Sequence, residues 1–123
     1  MPFSPEDLAA LDHAKEVRIE TSGPDGTIHR TIVWIVVDGE DAFVRSWRGA
    51  TARWYRETLA NPNVAIEVAK RRLPARAIPA TDRASIARTS DGLERKYEGD
   101  PATRSMVADE ILDTTLRLER RPE

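Results

Sequence analysis

The chain has 123 residues, enough for one compact domain and too few for two that fold independently. Its 19 basic and 21 acidic side chains leave a net charge of −2, which argues against nucleic-acid binding driven by overall charge and confines any anion site to a local cluster. With no cysteine and only His13 and His29 as histidines, the chain offers no disulfide, iron–sulfur cluster, thiolate zinc site or paired-histidine motif, and no metal site is expected.

The first twenty residues mix acids with apolar positions and lack a basic start followed by an apolar run. They do not read as a secretory signal or membrane segment, and a cytoplasmic location is expected. Ser4-Pro5-Glu6-Asp7 starts a helix, with serine as cap, proline in the first turn and acids at the positive end of the dipole, so the N-terminal helix occupies 1–14. Val17, Ile19 and Thr21 alternate with Arg18 and Glu20 as a half-buried strand does, and Gly23-Pro24-Asp25-Gly26 turns the chain. The run 28–37 is β-branched and apolar throughout from Ile32, so one strand is expected there, covered on both faces in its second half. Asp38-Gly39 closes the next hairpin, with a strand over 42–47.

A glycine loop then leads into a helix over 52–60, which Asn61-Pro62 ends. Strands follow over 64–69 and 73–80; the two prolines of the second place it at a sheet edge or bulge. Asp82 caps a helix towards Tyr97, weakened in its middle by Gly92, and Gly99-Asp100-Pro101 stops it. One more helical turn over 106–112 and a last strand carrying Leu116 and Leu118 complete the chain, with a frayed tail over 120–123. Six short strands joined mostly by hairpins form an antiparallel barrel or sandwich in a mainly β, single domain over 1–123.

The most unusual stretch runs from Arg45 to Arg56: four arginines, two of the three tryptophans and no acid. Gly49 permits close backbone approach, and Arg48 and Arg53 flank a helix start at Thr51, a combination suited to a phosphate; Trp47 and Trp54 would suit a flat ring. The same residues would equally serve as core or partner-surface anchors above a solvated basic face. Arg30 and Thr31 lie where the strand over 28–37 turns from polar to apolar, on opposite faces, so one of them borders a pocket; Arg30 could instead pair with Glu20 across the sheet. His13 reads as a helix-end residue and His29 as solvated, neither with an evident carboxylate partner. Tyr55 and Leu59 share a stripe expected to face the core, and Trp54 and Thr58 a more polar one. Phosphate-loop, dinucleotide and nucleophile-elbow motifs are absent.

The segment from Ser46-Trp47-Arg48-Gly49 through Arg53-Trp54-Tyr55-Arg56-Glu57-Thr58-Leu59-Ala60-Asn61-Pro62-Asn63-Val64 to Val68 resembles the corresponding loop, helix and strand of deazaflavin-dependent nitroreductases and quinone reductases. The whole chain is similar to a domain-of-unknown-function family of short bacterial proteins among the FMN-binding split barrels. That resemblance implies a six-stranded antiparallel split β-barrel with flanking helices, pyridoxamine phosphate oxidase-like, binding FMN or a deazaflavin coenzyme in a groove of a homodimer. By position, it implies Arg30 and Thr31 beside the ring, Ser46, Arg48, Gly49 and Arg53 at the phosphate, and Trp54 and Tyr55 at the helix start beside the cofactor. The implied activity is hydride transfer from the reduced cofactor to a small organic acceptor. The alternative is a non-catalytic module that senses or sequesters a flavin, haem or hydrophobic anion.

Overall fold

The computed structural model describes residues 1–122. The Asp7 N–H donates to Ser4 Oγ at 3.1 Å, so helix α1 (Pro5–His13) begins where its cap predicted. Strands β1 (Val17–Ser22) and β2 (Ile28–Val33) form the first hairpin, and β3 (Ile35–Asp38) and β4 (Asp41–Val44) the second, turning at Gly39 with φ +63°. A 3-10 turn over Gly49–Thr51 leads to α2 (Arg53–Ala60), followed by β5 (Asn63–Val68), β6 (Arg71–Pro79) and α3 (Arg83–Lys96). The short helix α4 (Thr103–Met106), a 3-10 segment over Asp109–Thr114 and β7 (Leu116–Arg120) close the chain.

All strands join one sheet in the order β2-β1-β5-β6-β7-β4-β3, and every pair is antiparallel. Its outermost strands, β2 and β3, are the two halves of the run over 28–37, parted at Trp34. The sheet therefore curls until its edges lie one residue apart in sequence. No ladder joins β2 to β3 among the described residues, so the barrel is split at Trp34, and seven strands replace the expected six because one run bends.

The curl encloses a core that includes Ile19, Ile35, Val44, Ile66 and Leu118 and is joined by Leu11 of α1. A second cluster lies on the outer side of β3 and β4, where Val36 and Phe43 meet Leu93 and Tyr97 from α3 and its C-terminal end. Gly92 is what lets that helix approach: a Cβ there would stand 3.1 Å from Val36 Cβ. Residues 35 and 36 are thus covered on both faces as expected, but the cover stops short of β2, whose Ile32 is 57% exposed.

Strand β6 is interior, flanked by β5 and β7, so of the edge or bulge its prolines predicted the edge is excluded. The reason is local. The Pro74 carbonyl accepts the Arg121 N–H at 2.9 Å, so its missing N–H lies on the β7 side, past the last ladder pair, Ala75 with Arg120. Pro79 is the final residue of the strand. At the C-terminal end, where fraying was expected over 120–123, Arg120 closes β7 and the Arg121 guanidinium donates to the carbonyls of Ala75 and Val64. Glu123 lies outside the described residues.

Candidate functional site

An open cleft of about 770 Å³ lies at the seam of the barrel. One wall is the seam itself, Thr31 to Trp34; the other is the loop after β4 and the start of α2, contributing Trp47, Arg48, Arg53, Trp54 and Arg56. Met106 and Ala102 come from the α4 segment, and Glu16 is the one acid lining it among the described residues. The loop is held from within. The Ser46 N–H donates to Thr114 Oγ1 at 3.0 Å, Ser46 Oγ donates to the Gly49 carbonyl at 2.7 Å, and the Gly49 N–H returns to the Ser46 carbonyl. Gly49 adopts φ +69°, so the loop reverses tightly and leaves Trp47 61% exposed. Thr51 ends the 3-10 turn, and α2 opens from Ala52 without a side-chain cap.

Arg45 is the least ordinary residue of the cleft wall. It follows β4 directly, two residues after Phe43, and is enclosed by α3 and the end of α4, where it is only 2% exposed. Its guanidinium donates to Thr115 Oγ1 (2.9 Å), Ser90 Oγ (3.0 Å) and the carbonyls of Met106 (3.0 Å) and Ile86 (3.2 Å). Every acceptor is neutral, and burial pushes the group down to about 10. A positive charge thus sits at the cleft wall with hydrogen bonds but no counter-ion among the described residues. At the seam, Trp34 stacks on Tyr97 with ring centroids 3.9 Å apart and planes 6° apart. Tyr97 Oη donates to the Lys15 carbonyl at 2.7 Å, and burial holds its hydroxyl up at about 12.

Of the eight residues expected at a cofactor, Thr31, Arg48, Arg53 and Trp54 line the cleft. Ser46 and Gly49 are buried in the loop that shapes it, and Tyr55 is buried with its hydroxyl donating to the Asp113 carbonyl at 3.4 Å. Arg30 points to the other face: its Nε donates to Glu67 Oε2 at 2.7 Å and its Nη2 to Glu20 Oε1 at 3.2 Å, the cross-sheet pairing foreseen for it. The expected division within α2 is revised, because Trp54, Tyr55 and Thr58 are all buried while Leu59 is exposed. Thr58 tolerates burial by donating to the Trp54 carbonyl at 2.7 Å. His29 is also revised: Nδ1 lies 3.0 Å from Glu57 Oε2, and Thr21 Oγ1 donates to Glu57 Oε1 at 2.7 Å. Arg56, the last arginine of the basic aromatic stretch, lines the cleft as well. Trp34 and Met106 were not singled out from the sequence, and only the curl at Trp34 and the packing of the α4 segment bring them there.

No group of three or more His, Asp or Glu side chains is arranged to hold a metal among the described residues, and no described helix is long and apolar enough to cross a membrane. The family model for uncharacterized proteins conserved in bacteria (DUF2255) matches residues 7–118. No curated protein matches the chain. Among solved structures, the conserved hypothetical protein Rv2991 from Mycobacterium tuberculosis is 17% identical, with a TM-score of 0.71 over 98% of this chain and 80% of that one. HutZ, a heme storage protein from Vibrio cholerae, is 18% identical, with a TM-score of 0.67 over 100% and 92% of the two chains. An F420 reductase is 20% identical, with a TM-score of 0.61 over 100% and 96%. At these identities the likeness is one of fold, the pyridoxamine phosphate oxidase-like split barrel.

Proposed function

We propose, for a chain that belongs to the DUF2255 family of uncharacterized proteins conserved in bacteria, that the seam cleft holds a flavin or deazaflavin cofactor and serves hydride transfer to a small organic acceptor. The observation that carries the reading is the buried Arg45, without a counter-ion among the described residues, lining with Arg48, Arg53 and Arg56 a cleft walled by indoles. A buried charge without an acidic partner is unfavourable until an anion approaches, and a phosphate-bearing planar cofactor satisfies both features of the wall. A volume of about 770 Å³ falls within the range of small-molecule sites.

When bound, the cofactor supplies the hydride chemistry. Arg48 and Arg53 would hold its phosphate, Thr31 offers a hydroxyl at the seam, and the indoles exclude water from the ring. This division of labour needs no polar triad. The likeness to an F420 reductase supports the same reading.

The likeness to a heme storage protein supports a second reading, a binding module without turnover. The cleft lining favours a flavin over haem, since among the described residues it includes no histidine or tyrosine and its soft donor, the Met106 thioether, belongs to a buried residue. Ile32 and Trp47 are exposed at the cleft, and a second copy of the chain closing over them would form the homodimer; light scattering that returned a monomer mass would remove that part of the proposal. Titration with FMN and with a deazaflavin, each oxidised and reduced, followed by anaerobic reoxidation with a quinone, tests the function. Binding with reoxidation is expected, binding alone selects the module, and no binding overturns both.

A further inference from the structure

The three tryptophans at the cleft are not equivalent. Trp54 is committed to the core, 6% exposed and packed edge-on against Tyr55 with planes 86° apart. Trp47 is exposed, and no ring contact fixes its plane among the described residues. Trp34 is half-buried, borders the cleft and lies parallel to Tyr97. Tyr97 is itself immobilised, since its hydroxyl donates to the Lys15 carbonyl at 2.7 Å and accepts the Ile35 N–H at 3.3 Å. Trp34 also occupies the one position between β2 and β3, so the backbone on both sides of it belongs to the sheet. Trp54 also lines the cleft but is buried, so among the described tryptophans Trp34 alone is held in plane and still partly open to it.

We infer that Trp34 seats the ligand's ring: a planar aromatic group lies on the indole surface that Tyr97 leaves uncovered, extending the pair into a three-layer stack, with the anionic group directed to Arg48 and Arg53. The inference rests on the cofactor reading and adds the orientation of the ligand within the same cleft. Trp34 is a positioning residue, and it carries no proton in this scheme. A parallel platform favours a flat fused ring over a puckered or aliphatic group of the same volume, because offset stacking rewards coplanar area.

The test compares wild type, Trp34→Leu and Trp34→Phe by titration with FMN and a deazaflavin, with riboflavin as a ring lacking phosphate, and with inorganic phosphate as a competitor. Circular dichroism reports whether each variant is folded. Trp34→Leu should weaken every ring ligand by about threefold to tenfold, Trp34→Phe should restore most of that loss, and competition by phosphate should stay unchanged. If Trp34→Leu fails to fold, the Trp34 indole N–H resonance, assigned with Trp34→Phe, should move when riboflavin or the cofactor saturates the wild-type protein. A folded Trp34→Leu that binds the rings as tightly as wild type, or an indole resonance that stays in place at saturation, would overturn the inference and leave the cofactor reading standing. Wild-type protein that binds none of the ring ligands overturns the cofactor reading and the inference with it.

Discussion

Lys96 gives the fold a pH dependence that can be worked out from its surroundings. Its Nζ donates to the Ile35 carbonyl at 2.7 Å and the Leu11 carbonyl at 3.1 Å, tying β3 to the last turns of α1, and it lies 5.4 Å from the Tyr97 ring centroid. Burial pushes the ammonium down from 10.5 to about 8, with Asp12 opposing the shift. A neutral amine still has two protons to donate, so both hydrogen bonds survive deprotonation. In the unfolded chain the amine keeps its charge up to its ordinary range. Between pH 8 and 10 the unfolded state therefore binds more protons, and stability rises with pH. Above pH 10 the trend reverses locally, because Tyr97, held at about 12, keeps a proton that the unfolded chain releases.

At 1.36 kcal/mol per unit, and with the ammonium still partly solvated, the expected gain from Lys96 is about 2 kcal/mol between pH 7.5 and 10. Urea melts of wild type and Lys96→Met at half-unit intervals measure it. The wild-type midpoint should climb relative to the variant above pH 8, and the two should run parallel below pH 7. Curves that stay parallel from pH 7 to 10 would show that Lys96 is not desolvated in the folded state and would refute the reasoning.

Replacing Arg48 and Arg53 together with alanine should weaken FMN or deazaflavin binding by at least about a hundredfold, since each charge-assisted contact contributes about 1.5–3 kcal/mol, while thermal stability changes little; isothermal titration and melting decide it. The β5–β6 hairpin turns on Ala69 and Lys70 at φ 50° and 62°, so Ala69→Asn with Lys70→Gly should stabilise the protein by about 1 kcal/mol, read as a higher melting temperature. Gly92→Ala should destabilise by about 1 kcal/mol despite better helix propensity, because the new methyl meets Val36 at 3.1 Å; the loss should shrink in a Val36→Ala background, as a double-mutant cycle would register.

Much of the local structure was legible because its causes are local. Ser4 and Asp82 cap their helices through their own side chains, and the period-two run of Val17 and Ile19 is buried as written. The opposition of Arg30 and Thr31 also followed from strand geometry, and Thr31 is the one that reaches the cleft. What the sequence could not decide depends on residues distant along the chain. Trp34 meets Tyr97 only because the sheet curls there, Arg45 loses solvent only because α3, the end of α4 at Met106 and Thr115 close around it, and His29 finds Glu57 across 28 positions. Pro74 sits inside the sheet because β7 ends beside it, a fact of register between strands rather than of composition. Sequence alone determined most of the strand positions, the caps at Ser4 and Asp82, the turns and the basic aromatic loop, since propensity and periodicity act over a few residues, whereas the bend that parts the run over 28–37 into two strands came with the curl of the sheet. Tertiary structure decided which arginines and indoles share one cleft, because facing and burial are set by the closure of the whole sheet.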